Sequence, residues 1–182
     1  MSNTLKPYSM ITDFVTGKKI PNIGAEENRQ MVEKFLVNKK GFSKIDIAID
    51  VDIEMTVAGD IYRSQIDIVV GIDGASTPFM AIKCAAASLG SREREILAAS
   101  RLLCENQLPY SVVTDGKTAI VLDTISGRKL GEGLHVIPSK EEAREKLKTM
   151  TWVPYPQEKL EREKLIFRSY DSMNVNVGRN IH

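Results

Sequence analysis

Between residues 45 and 86 the hydrophobic pattern leaves few folds open. Ile45, Ile47, Ile49, Val51, Ile53, Met55 and Val57 alternate with Asp46, Ala48, Asp50, Asp52, Glu54, Thr56 and Ala58. That period of two predicts a long strand with one buried face and one acidic, solvated face. After a turn at Ala58-Gly59-Asp60, Ile66, Ile68, Val70 and Ile72 repeat the alternation. Asp73-Gly74 turns the chain again, and Phe79 to Ala86 is mostly apolar on both faces. A strand of that kind belongs in the middle of a sheet covered on both sides.

Helical spacing flanks these strands. Met31, Val32, Phe35 and Leu36 predict a helix over 26–39, with Gly41 as its stop. A second helix is expected from Ser91 to Cys104, with Ile96, Leu97, Leu102 and Leu103 inward. Strands at Tyr110–Thr114 and Ala119–Leu122 flank the hairpin turn Asp115-Gly116, and Ser126-Gly127 marks a further turn. Ser139 followed by Glu142 is a capping box opening a charged helix to about Lys148. Pro156 precedes a last helix carrying Leu160, Leu165, Ile166 and Phe167. The expected organisation is an extended lead-in over 1–24, a core over 25–137, and accessory helices with a polar tail over 138–182. Its fold class is α/β, a mixed sheet flanked by helices.

Several function classes fall away. Neither GxxxxGK[ST] nor GxGxxG occurs, so no ATP-driven motor is encoded in these residues. His135 and His182 are the only histidines, too few and too scattered for a zinc site or a nucleophilic triad. Cys84 and Cys104 stand in apolar stretches and are expected to be two buried thiols. No apolar run approaches the ~20 residues needed to span a bilayer. The opening MSNTLKPYSMITDF lacks the apolar stretch of a secretory segment, so the expected location is the cytoplasm. With a net charge of +1, any hold on nucleic acid must come from a local basic patch.

Four segments carry a resemblance. TGKKIP at 16–21 with Glu26-x-x-Arg29-Gln30, YRSQIDIVV at 62–70, PFMAIKCAAA at 78–87 and LPYSVVTDG at 108–116 occur in that order. Together they resemble the N-terminal nuclease domain of type I restriction enzyme R subunits. The resemblance implies a restriction-endonuclease-like core and duplex DNA as a partner. It also implies Mg²⁺ held by an aspartate on the second core strand, matched here by Asp67, and by the glutamate of a Glu-x-Lys motif on the third. Two carboxylates on one sheet face bind a hard cation through oxygen, and the cation activates water for attack on phosphate.

At that decisive motif the chain departs from the family. In one register Ala81-Ile82-Lys83 keeps the lysine and loses the acid. In the other, which also lines up Phe79-Met80 and is preferred, Lys83 occupies the glutamate position and Ala85 the lysine position. Positions 81, 83 and 85 share one strand face, so neither register leaves an acid there. The expected outcome is a degenerate nuclease in which Lys83 pairs with Asp67 inside the sheet. The alternative is an active Mg²⁺ endonuclease with a relocated acid. Its catalytic set is Asp67, Lys83 and Glu95, and its metal set is Asp67 with Glu26 or Glu93. The bland reading of Glu93 and Glu95 is a solvated first helical turn.

Arg29, Arg63, Arg92 and Arg94 are the expected phosphate-binding set, if they gather near the site end of the sheet. The last amphipathic helix is expected to dock on its own core, with a second copy or a protein partner as the alternative.

Overall fold

In a computed structural model, which describes residues 8–74 and 76–172, the chain begins with a hairpin of β1 (Met10–Thr12) and β2 (Lys19–Pro21). The sequence predicts only an extended lead-in there. Strands of three residues carry no periodic signal. Their turn is closed instead by Asp13, whose carboxylate accepts from the Thr16 amide and hydroxyl, each at 2.7 Å.

α1 (Glu26–Lys40) follows as predicted, with Glu26 and Glu27 in its first turn and Lys39 and Lys40 in its last, matching the helix dipole. Gly41 ends it at φ 76°, a left-handed conformation that glycine adopts without steric cost. β3 (Ile47–Val57) and β4 (Asp60–Ile72) form the long antiparallel pair. Their two-residue turn, Ala58-Gly59, has positive φ at both positions, as a tight hairpin matched to strand twist requires. β5 (Thr77–Cys84) is antiparallel to β4. α2 (Glu93–Leu102) then carries the chain across to β6 (Tyr110–Thr114), which is parallel to β5. β7 (Ala119–Asp123) and β8 (Lys129–Glu132) complete a six-stranded sheet in sequence order from β3 to β8. β8 is not predicted: it is four mostly exposed residues, Leu130 among them at 51% exposure.

α3 (Lys140–Thr149) and α4 (Gln157–Ser172) follow. Ser139 caps α3 as the capping box predicts, accepting from the Glu142 amide at 3.2 Å while Glu142 accepts from the Ser139 amide at 2.7 Å. Of the expected polar tail, residues 173–182 lie outside the described residues.

The sheet separates two helix layers. Val32 and Leu36 of α1 and Ala143 of α3 pack with Ile68, Val70, Ile82, Val112 and Val121. Ile96, Ala98 and Ala99 of α2 and Phe167 of α4 pack with Val69, Ala81 and Val113 on the opposite face. This is the α/β, restriction-endonuclease-like arrangement expected of the chain.

Two expectations for the first long strand are corrected. Its apolar set does not face one layer. Ile47 and Ile49 pack toward α1, whereas Val51, Ile53, Met55 and Val57 pack toward α2 and α4. The change falls at Asp50, whose φ of 49° turns the strand. Nor is the acidic face uniformly solvated. Asp52 and Glu54 are exposed, but Asp46 is fully buried, in a short 3-10 turn (Lys44–Asp46) that also leaves Ile45 74% exposed. Asp46 accepts from Ser43, from the Gly74 amide and from Lys140 Nζ at 2.6 Å. Burial alone raises its pKa, but these donors outweigh it and hold the carboxyl at about 2. Of the two thiols expected to be buried, Cys84 is inside and Cys104 is exposed.

Candidate functional site

The β4–β5 ladder runs from Ile72↔Thr77 to Ile68↔Ile82 and then stops. Beyond it, the Asp67 side chain takes the place of the next backbone partner: Oδ2 accepts from the Cys84 amide at 2.7 Å. Asp67 thus caps a strand amide that the divergence of β4 and β5 would otherwise strand in the interior.

Its second oxygen faces a base. Lys83 Nζ lies 3.8 Å from Asp67 Oδ1 and 3.0 Å from Glu95 Oε1. Glu95 comes from the first turn of α2, and its other oxygen receives Arg92 at 3.3 Å. Asp67, Lys83 and Glu95 are 2%, 7% and 3% exposed. The result is a buried acid–base–acid array, with Arg92 as the outer cation. Burial opposes the charge on Lys83, but Asp67, Glu95 and then Asp171 outweigh it and hold the pKa above the ordinary lysine value. Burial pushes the Glu95 carboxyl up, against the pull of Lys83.

The expected catalytic set of Asp67, Lys83 and Glu95 is therefore together in space, and Glu95 is not part of a solvated turn. The expected metal set is not. Glu93 is half-buried and turns toward Lys129 of β8, 4.0 Å away. Glu26 bonds Arg29 and Gln30 of its own helix. Among the described residues, no group of three or more His, Cys, Asp or Glu side chains is arranged to hold a metal ion.

The four arginines do not form one surface. Arg29 is 2% exposed, with Asp13 at 3.2 Å, Glu33 at 3.1 Å, Asp50 at 4.0 Å and Glu26 in direct contact. It neutralises buried acids, so it is not presented to a phosphate. Arg63 is exposed and pairs with Glu54 at 2.6 Å. Arg94 grips Glu163 of α4 through both terminal nitrogens, at 3.1 and 2.9 Å. Only Arg92 stands beside the acid–base–acid array.

Sequence reasoning missed the contribution of α4. Asp171, in its last turn, accepts from the Tyr62 hydroxyl, and its charge acts on both Lys83 and Glu95. Phe167 meets Tyr62 edge-on, with ring centroids 6.2 Å apart at 77°. The amphipathic spacing of 160–167 signals that this helix buries one face, and it docks on its own core. Nothing in the spacing says which.

A family model described as the type I restriction enzyme R protein N terminus matches residues 24–138. The chain belongs to this family. No curated protein and no solved structure matches it. Within the restriction R-protein N-terminal span lie α1, the whole six-stranded sheet and α2, so all members of the array come from the family region. The β1–β2 hairpin, α3 and α4 lie outside it. No helix among the described residues is long and apolar enough to cross a membrane.

Proposed function

We propose that this chain is a nuclease-derived domain that cleaves DNA poorly or not at all and acts as a DNA-binding or regulatory module in the cytoplasm. The observation that carries the reading is the position of Lys83 Nζ between Glu95 at 3.0 Å and Asp67 at 3.8 Å. Two carboxylates that would share a cation already share an ammonium. A divalent ion would have to displace a charge worth roughly 4 kcal/mol per close pair at an effective dielectric near 20. The raised pKa of Lys83 works against its leaving as a neutral amine. Mg²⁺ also keeps several waters and an octahedral shell, for which a site exposed by 7% at most leaves little room. The donor set as folded does not fit the metal of the family's chemistry.

The test is cleavage of plasmid DNA with Mg²⁺ or Mn²⁺ by the native chain and by Asp67→Ala. No cutting above background by either is expected. Robust cutting by the native chain that disappears in Asp67→Ala overturns the reading.

One observation favours a second reading, an endonuclease with a relocated acid. Glu95 is buried and turned toward Lys83 and Asp67, where a solvated helix start would point it outward. That reading requires cutting that is lost in Glu95→Gln as well as in Asp67→Ala. For the binding role, duplex-DNA affinity that falls steeply with salt separates a phosphate-binding module from one that binds protein alone.

A further inference from the structure

The four arginines expected to hold phosphate are taken up by acids of the chain itself. A different group of bases is left facing solvent together. It lies where the two helices on the α1 face of the sheet meet: a Cβ at Gly41, just past α1, would stand 4.0 Å from Lys140 Cβ at the start of α3. Beside that junction opens a groove of about 920 Å³, with Ile72 and Leu147 as apolar lining and Lys39, Lys40, Lys140, Arg144 and Lys148 as basic lining.

The helices order these bases. Lys140, Arg144 and Lys148 stand four residues apart, so they share one face of α3 and climb it by about 6 Å a step. Lys39 and Lys40 come from the last turn of α1. Lys140 is committed: its Nζ holds the buried Asp46 at 2.6 Å and pins α3 to the turn before β3. Arg144 meets Asp73 only at 3.8 Å, and Lys148 meets Glu145, with all four side chains more than half exposed. Ion pairs held that loosely in water yield readily to a phosphate. Lys40 Nζ donates to the neutral carbonyl of His135 at 2.8 Å, and Lys39 is exposed; neither forms an ion pair among the described residues. Asp73, Glu141 and Glu145 also line the groove, so the excess of positive charge is small. The hold it offers is weak and sensitive to salt.

We propose that this groove holds the phosphate backbone of duplex DNA through Lys39, Lys40, Arg144 and Lys148. Bases repeating along a helix match phosphates repeating along a strand, and contacts of this kind position DNA without reading its sequence. The groove is remote from the Asp67–Lys83–Glu95 array. Its Ile72 is separated from Asp67 by roughly 17 Å of extended strand. It also lies with α1 and α3, whereas Lys83 and Glu95 meet on the α2 side of the sheet. DNA seated there is not presented to the array, so binding and cutting are separate properties of the chain. α3 lies beyond the family-matched residues, so half of the groove is an addition to the family's span. The proposal rests on the reading of the chain as a DNA-binding module.

The test is fluorescence anisotropy of a short labelled duplex titrated with the full chain at several salt concentrations. The proteins are the native chain, Lys39→Ala, Arg144→Ala combined with Lys148→Ala, and Glu141→Gln. Lys140 stays in place because it holds Asp46, and Arg63→Ala, on the exposed face of the β3–β4 hairpin, is the control. Four phosphate contacts give a native log–log salt slope of about −3 to −4. Each base removed should weaken binding about threefold or more and flatten the slope by about one. Glu141→Gln should bind more tightly, and Arg63→Ala should match the native chain. DNA bound equally well by all the groove variants, at unchanged slope, overturns the groove and leaves the DNA-binding reading intact. A loss in Arg63→Ala as large as in the groove variants overturns it too. No DNA binding by the native chain at low salt sinks the DNA-binding reading, and the groove with it. Displacement of the duplex by polyglutamate as readily as by unlabelled duplex of equal charge makes the occupant an acidic protein segment and overturns the DNA assignment.

Discussion

Glu33 titrates where stability is usually measured. Its side chain is fully buried on α1, with Oε1 3.1 Å from Arg29 Nη1 and Oε2 accepting from the Val15 amide at 3.2 Å. Around it stand Asp13 of the lead-in, Glu26 and Arg29 of its own helix, Asp50 of β3 and Cys84 of β5. Burial first, and the nearby Asp13 charge second, push its pKa to about 7 from the ordinary 4.5, against the pull of Arg29. A carboxyl whose folded pKa is raised binds its proton more tightly in the native state. Its contribution is complete below the unfolded value and is lost as pH climbs through the folded one. Each pH unit between 4.5 and about 7 is worth roughly 1.4 kcal/mol, so the swing is on the order of 3 kcal/mol. Urea denaturation at steps from pH 4.5 to 8.5 should show this loss in the native chain. Glu33→Gln, which mimics the protonated form, should lack it. The gap between the two proteins should therefore shift in favour of the variant by about 3 kcal/mol across that window. A gap independent of pH, or one moving in the native chain's favour as pH rises, refutes the argument.

The remaining predictions follow from other buried charges. Lys83→Met leaves Asp67 and Glu95 buried without their shared ammonium and should cost roughly 3–5 kcal/mol at pH 7. Part of that loss should return at pH 5 as a carboxyl takes up a proton, and a urea midpoint that ignores pH refutes it. Asp46, held at about 2 against an ordinary 3.8, has the opposite sign: its contribution stands above pH 3.8 and fades as pH falls through 2. Asp46→Asn should lose about 2 kcal/mol at neutral pH and close the gap in acid, read by thermal melts from pH 2 to 5. Ser139→Ala removes the α3 capping box and should cost about 1 kcal/mol, seen first as faster amide exchange over 140–143.

The long strands, α1, the central β5 and the capped α3 were legible because each carries a local cause: a period, a glycine stop, a reciprocal cap. The β1–β2 hairpin and β8 have no such cause. They exist through the Asp13 turn, the Gln30 side chain that takes the Phe14 amide at 2.7 Å, and pairing to β7. The alternation at 45–57 was visible, but it could not show that Asp50 divides one apolar stripe between two helix layers. Within the site, Asp67 and Lys83 followed from the strand pattern and the resemblance. Glu95 followed only as one of two acids in a helical turn, and helix phase alone decided between them. Ile96 points into the α2 core, which turns Glu95 toward Lys83 and leaves Glu93 near Lys129.

Arg29 and Lys83 show why residue type misleads when burial is unknown. Both read from sequence as bases for a phosphate or a metal-bound nucleophile. Each instead compensates carboxylates that the fold has taken out of water, Arg29 on the α1 face and Lys83 on the α2 face. The two arrays approach each other at the Asp50 kink in the middle of β3. Asp50 lies between the Ile49↔Ile68 and Val51↔Ile66 pairs, as Asp67 does on the facing strand, and Arg29 reaches to 4.0 Å from Asp50. The buried Cys84 of β5 feels charges of both arrays, Asp67 and Lys83 from one and Arg29 and Glu33 from the other. Where the β4–β5 ladder ends, it leaves one amide without a strand partner, and Asp67 caps it. In the buried array each acid meets a cation: Lys83 stands beside both Asp67 and Glu95, and Arg92 beside Glu95.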